Sequence, residues 1–169
     1  MCRWPLAFVA LMLVAVGAVP LHSADALAQN APPAPASSPQ AAYNPGVGEL
    51  MNLIVQVRHT KLWLAGYEGN WALAEYESKE LRSALANVAK ARPVFRQQSV
   101  ADNVEMFLGG AFRAIDEAIH DRDAAKFTEA YSTVNAGCNA CHTALGQSQV
   151  VIKTPELQMY PDQEFRPRK

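Results

Sequence analysis

The chain has 169 residues, half of them apolar, with 15 basic against 16 acidic side chains and a net charge of −1. That balance gives no basic surface for nucleic acid or an anionic membrane. Three cysteines are too few for a disulfide scaffold.

The N-terminal stretch reads as an export signal. Arg3 supplies a short positive region, Leu6 to Val19 an apolar run, and Ala26-Leu27-Ala28 a small-x-small site. Residues 1–28 are therefore read as a signal peptide cleaved after Ala28, which directs the mature chain to the periplasm. The apolar run falls short of the roughly 20 residues a transmembrane helix needs, so no stable membrane anchor is expected; an uncleaved anchor is the alternative. Cleavage removes Cys2, Arg3 and Asp25, which leaves the net charge at −1. Residues 29–45 are rich in Ala, Pro, Ser and Gln, including Pro32, Pro33, Pro35 and Pro39. Such a segment cannot bury enough apolar surface to offset its ordering entropy and reads as a semi-extended linker.

Residues 46–146 carry four helical patterns. The first follows Asn44-Pro45-Gly46 and reaches about Gly66, with Leu50, Met51, Ile54, Val55, Arg58 and Leu62 at three- and four-residue spacing. Asn70 is a suitable N-cap for the second, Trp71 to about Ala91, which Pro93 ends. The third runs from about Ser99 to His120, where a cation suits the helix dipole. Gly109-Gly110 inside it either admits a close neighbour or is simply a weak position. The fourth starts near Asp121 or Asp123 and carries Phe127, Tyr131, Val134, Cys138, Cys141 and Leu145 on one face. Short connections favour antiparallel neighbours, so the expected fold is all-α, an antiparallel four-helix bundle. Residues 147–169 form a tail. Val150-Val151-Ile152 is β-branched and Pro155, Pro161 and Pro167 forbid a long helix. An extended strap over the bundle is expected, with a loose terminus as the alternative.

The chemistry lies in Cys138-Asn139-Ala140-Cys141-His142. Two thiols three residues apart and an immediately following imidazole form the pattern for covalent attachment of c-type haem. On a helix these side chains emerge from one face, so each thiol can take one vinyl group while the ring nitrogen reaches the iron. Cys138 and Cys141 are the expected anchors and His142 the expected axial ligand of one covalent haem c. A thioredoxin-like pair would sit beside a βαβ unit, which the chain lacks. A structural zinc site would need a second ligand pair, and a short-loop disulfide would leave His142 as coincidence.

A single such motif near the end of the last helix of an exported four-helix domain resembles the class II c-type cytochromes, the cytochrome c-prime group. The resemblance covers roughly residues 45–146. It implies an arginine in the first helix near a haem propionate, with the residue over the free iron face shortly after. The matching positions here are Arg58-His59 and Leu62. Leu145-Gly146 departs from the aromatic and basic pair that often follows the family's axial histidine. The resemblance also allows a homodimer.

Function then turns on the sixth iron position. His59 and Met51 are the candidate sixth ligands, and Leu62 would leave the position open. Arg58 and Lys61 are candidates for propionate contacts, with a solvated helix edge as the alternative. The expected function is a non-enzymatic one-electron carrier that meets redox partner proteins. The alternatives are a five-coordinate haem protein binding NO or CO, and a haem subunit of a larger redox enzyme. Trp63 and Trp71 read as packing anchors.

Overall fold

The computed structural model describes residues 43–168. The expected signal peptide, residues 1–28, and all but the last three residues of the expected linker lie outside the described residues. The described part is all-α apart from one short ribbon. Helix α1 spans residues 47–67 in three continuous parts: a first turn (Val47–Leu50), a π-helical segment (Met51–Val55) and an α-helix (Gln56–Tyr67). Helix α2 is Trp71–Ala91, α3 is Val100–Asp121 and α4 is Ala124–Ala144. Strands β1 (Val94–Phe95) and β2 (Gln98–Ser99) pair antiparallel between α2 and α3.

Local chemistry explains where the helices start. Asn70 Oδ1 accepts from the Leu73 amide at 3.3 Å, and Ser99 Oγ from the Asp102 amide at 3.2 Å. Asp123 Oδ1 accepts from the Ala125 and Lys126 amides, both at 3.0 Å. Asp123 is therefore the cap of α4, and Asp121 closes α3. Helix α1 has no side-chain cap. Instead Arg92, just past α2, donates from Nε to the Pro45 carbonyl and from Nη2 to that of Asn44, both at 2.8 Å.

Two features differ from the sequence reading. A π turn holds more residues than an α turn, so Met51–Val55 shifts the apolar stripe upstream of it relative to His59 and Leu62. Arg96 and Gln97 adopt positive φ of 47° and 66°, the left-handed pair that a tight hairpin needs. Neither is the Asn or Gly that marks such a turn, so the segment reads as plain connection.

Each helix packs on the next, and α4 returns to α1. The core joins Leu62 of α1, Leu81 and Val88 of α2, Ile115 of α3 and Phe127, Tyr131 and Val134 of α4, all nearly or fully buried. Trp63 lies 4.9 Å from Tyr131 and Trp71 6.0 Å from Phe127, ring centre to ring centre, so both tryptophans serve as packing anchors. No helix among the described residues is long and apolar enough to cross a membrane.

The close approach between α3 and α4 falls at Gly137. A Cβ there would lie 2.5 Å from the Phe107 carbonyl oxygen, whereas one at Gly110 would meet only the Arg113 side chain at 3.8 Å. Gly109-Gly110 is thus a weak stretch of helix, with no backbone neighbour against it. Gly137→Ala is expected to destabilise the fold by about 1–3 kcal/mol, because a carbonyl on another helix cannot rotate away. Gly110→Ala is expected to stabilise it by about 0.5–1 kcal/mol through helix propensity. Opposite shifts of the thermal midpoint, followed by circular dichroism, check the pair.

Beyond α4 the tail has no regular secondary structure. It runs back along α4 and ends by the α1–α2 turn, where Phe165 enters the core at 4% exposure and Asn70 Nδ2 donates to the Arg166 carbonyl at 3.3 Å. Lys61 Nζ sits 4.8 Å from the Tyr160 ring centre on the way.

Candidate functional site

Helix α4 ends in a way that positions His142. Gly146 takes φ of 65°, the Gln147 amide donates to the His142 carbonyl at 2.6 Å and the Gly146 amide to that of Thr143 at 3.0 Å. This is a Schellman stop, and it explains why a glycine stands at 146. A turn follows, with the Val150 amide donating to the Gln147 carbonyl at 2.9 Å. The chain is thereby reversed, and the Val150 carbonyl reaches the His142 ring.

His142 Nδ1 lies 2.8 Å from that carbonyl oxygen. A carbonyl only accepts, so Nδ1 carries the proton and the lone pair of the neutral ring is on Nε2. One turn back, Asn139 is bound twice to one tail residue: its Nδ2 donates to the Ile152 carbonyl at 2.9 Å, and its Oδ1 accepts from the Ile152 amide at 2.7 Å. Another turn back, Asn135 Nδ2 donates to Thr154 Oγ1 at 3.0 Å. The match is geometric. Two extended residues advance about 6.6 Å and one helical turn about 5.4 Å, so alternate tail residues meet successive turns of α4.

Cys138 and Cys141 are free thiols. Cys141 is 6% exposed, and Cys138 packs against the core cluster. Burial pushes the Cys138 thiol up to about 12, with Cys141 beside it adding to the rise, and burial raises Cys141 as well. Both sulfurs are therefore protonated at neutral pH.

Tyr131, Asn135 and His59 form a buried polar group at the α1–α4 seam. His59 Nε2 lies 2.6 Å from Asn135 Oδ1, and its Nδ1 3.1 Å from the Tyr131 hydroxyl, which also donates to the His59 carbonyl at 2.9 Å. Burial lowers the pKa of His59 against the opposing pull of the Asn135 bond, and burial raises that of Tyr131. Both ring nitrogens of His59 are thus engaged by protein partners.

No known family, curated protein or solved structure matches this chain.

The remaining sequence-derived candidates separate. Cys138, Cys141 and His142 lie together on the last turns of α4. Arg58 lies at the α1–α2 seam, where Nη1 is 3.2 Å from Glu77 Oε2 and Nη2 3.4 Å from Glu80 Oε2. Its fork is committed to two carboxylates there. Leu62 is fully buried in the core, and Met51 opens the π segment half-buried. Among the described residues no three His, Cys, Asp or Glu side chains form a group able to hold a metal ion. An open depression of about 430 Å³ between Glu68 and residues 161–166 shares no residue with the α4 cluster.

Sequence reasoning missed Asn139, Asn135, Thr154 and the Val150 carbonyl. A signal was present in part. Asn135 and Asn139 stand four apart inside a helix, where asparagine is a poor choice unless its amide has a partner.

Proposed function

We propose that the chain is an exported c-type cytochrome with one covalent haem, an antiparallel four-helix bundle of the class II kind that carries single electrons between redox proteins. The packing of each helix on the next through short connections supports the bundle. The observation that carries the haem reading is the state of His142. Its Nδ1 proton is held by the Val150 carbonyl, which leaves Nε2 as a neutral donor of the kind an axial iron position takes. Cys138 and Cys141 stand one turn and one residue before it. At each sulfur the S–H would add across one vinyl double bond, forming an S–C bond and placing the hydrogen on the neighbouring carbon; no oxidant or reductant is consumed. The donor set fits the group. When bound, haem supplies an iron that cycles between two oxidation states, and the chain supplies ligation and burial that set its potential.

A five-coordinate haem protein that takes NO or CO is the second reading. It is favoured by His59, whose two ring nitrogens both have protein partners, and by Leu62, buried on the same helix.

The test is the visible spectrum of the full chain matured in cells competent to attach haem, taken oxidised, reduced, and reduced under CO. Sharp split bands unmoved by CO are expected for the electron carrier. A broad high-spin spectrum that shifts with CO selects the second reading. A chain without covalent haem overturns both.

A further inference from the structure

We infer that Asn139 is a positioning residue for His142, acting through the tail: residues 150–154 form a strap that sets the electron density of the axial nitrogen, and Asn139 latches it. The inference rests on the haem reading given above.

Apolar burial does little to hold the strap where it matters. Val150 is 46% and Val151 72% exposed, yet the Val150 carbonyl must stay within 2.8 Å of His142 Nδ1. Two residues further on, the Asn139 amide binds both the carbonyl and the amide of Ile152. An amide side chain matched to one residue's two backbone groups fixes that residue in position and in rotation, much as a neighbouring strand would. Asn135 with Thr154 adds a second, single bond one turn away. The latch and the His142 contact are therefore joined by one intervening residue, Val151, and slack at Ile152 passes to Val150.

A carbonyl that draws on the Nδ1 proton makes Nε2 a stronger donor, which favours the ferric over the ferrous state. Loosening the latch should weaken that bond and shift the redox equilibrium toward the ferrous form. Loss of a partner that orients a metal ligand costs about 10–100-fold in metal affinity, and the low end of that range, borne by the ferric form, is expected for a contact that is loosened rather than removed. A tenfold change in a one-electron equilibrium is about 59 mV.

The test compares the full-length matured wild type with Asn139→Leu, Asn139→Gln and Thr154→Val, all of which keep Cys138, Cys141 and His142. Three quantities are read: covalent haem content, reduction potential, and the resonance and exchange rate of the His142 Nδ1 proton. Unchanged haem content is expected, with the potential of Asn139→Leu raised by about tenfold in the equilibrium, or ~59 mV, and its Nδ1 proton exchanging faster. Asn139→Gln, which keeps the amide, should recover part of the shift, and Thr154→Val should move the potential least. A loaded Asn139→Leu protein with wild-type potential and wild-type Nδ1 exchange overturns the latch, whatever its thermal stability. If Asn139→Leu does not fold, Asn139→Ala, which also removes the amide held on Ile152, takes its place, and wild-type potential with wild-type Nδ1 exchange in that loaded variant overturns the latch. Absence of covalent haem from the wild type would instead fail the underlying haem reading.

Discussion

Replacing Cys138 and Cys141 together by alanine is expected to abolish covalent haem in the matured chain, and either replacement alone to leave attachment through a single sulfur. The loss is total because no other described residue offers a thiol: these are the two free cysteines among the described residues. The fold should survive. Removing one buried sulfur at Cys141, 6% exposed, costs about 1 kcal/mol on the scale of a small core truncation. Haem that stays with the polypeptide through acid extraction and a denaturing gel is the readout, and circular dichroism confirms the helices. His142→Ala separates the two roles: haem should remain attached while the spectrum reports a lost axial nitrogen. Haem retained by the double variant would overturn the assignment of the anchors.

Arg58→Met should lower stability by about 3 kcal/mol at neutral pH, the lower end for breaking a buried pair. Glu77 keeps only 2% of its side chain exposed, while Arg58 keeps 30%, and that exposure is the reason for the lower figure. Methionine retains the stem and removes only the charge. Burial already raises the pKa of Glu77, with Arg58 pulling it back down; without Arg58 it rises further. The folded chain then keeps a proton that the unfolded chain has released, so stability falls as pH rises through that window. The difference between variant and wild type should be largest near neutrality and shrink below about pH 4, where the unfolded carboxyl is protonated as well. Urea titrations at several pH values measure it. Adding Glu77→Gln to the variant should erase the pH dependence, and a difference that stays constant with pH would show that the lost charge is not the cause.

The helices were legible because their signals are short-range. Asn70, Ser99 and Asp123 each cap a helix through an amide two or three residues ahead, a distance a sequence shows directly. The π segment carries no residue signature, and the ribbon turn uses Arg96 and Gln97 where glycine or asparagine would have announced it. That Cys138, Cys141 and His142 come together at the end of α4 was legible for the same reason: the residues are contiguous. Their surroundings were not. His59 meets Asn135 and Tyr131 across 76 and 72 residues, and Arg58 meets Glu77 across 19. Only the packing of whole helices decides such partners. Amphipathic spacing placed Arg58 and His59 on α1 but could not say that one faces α2 and the other α4.

The tail is fastened at two very different ranges. Val150 meets His142 only eight residues away, whereas Arg166 meets Asn70 across 96. The near fastening can form as soon as α4 has turned back on itself; the far one needs the α1–α2 pair already assembled. Because synthesis runs from the N-terminus, His142 exists before Val150, whose carbonyl meets its ring. The ring therefore passes through an interval in which it is made but lacks its Val150 partner, and the length of that interval is set by how quickly the residues after Gly146 arrive and dock.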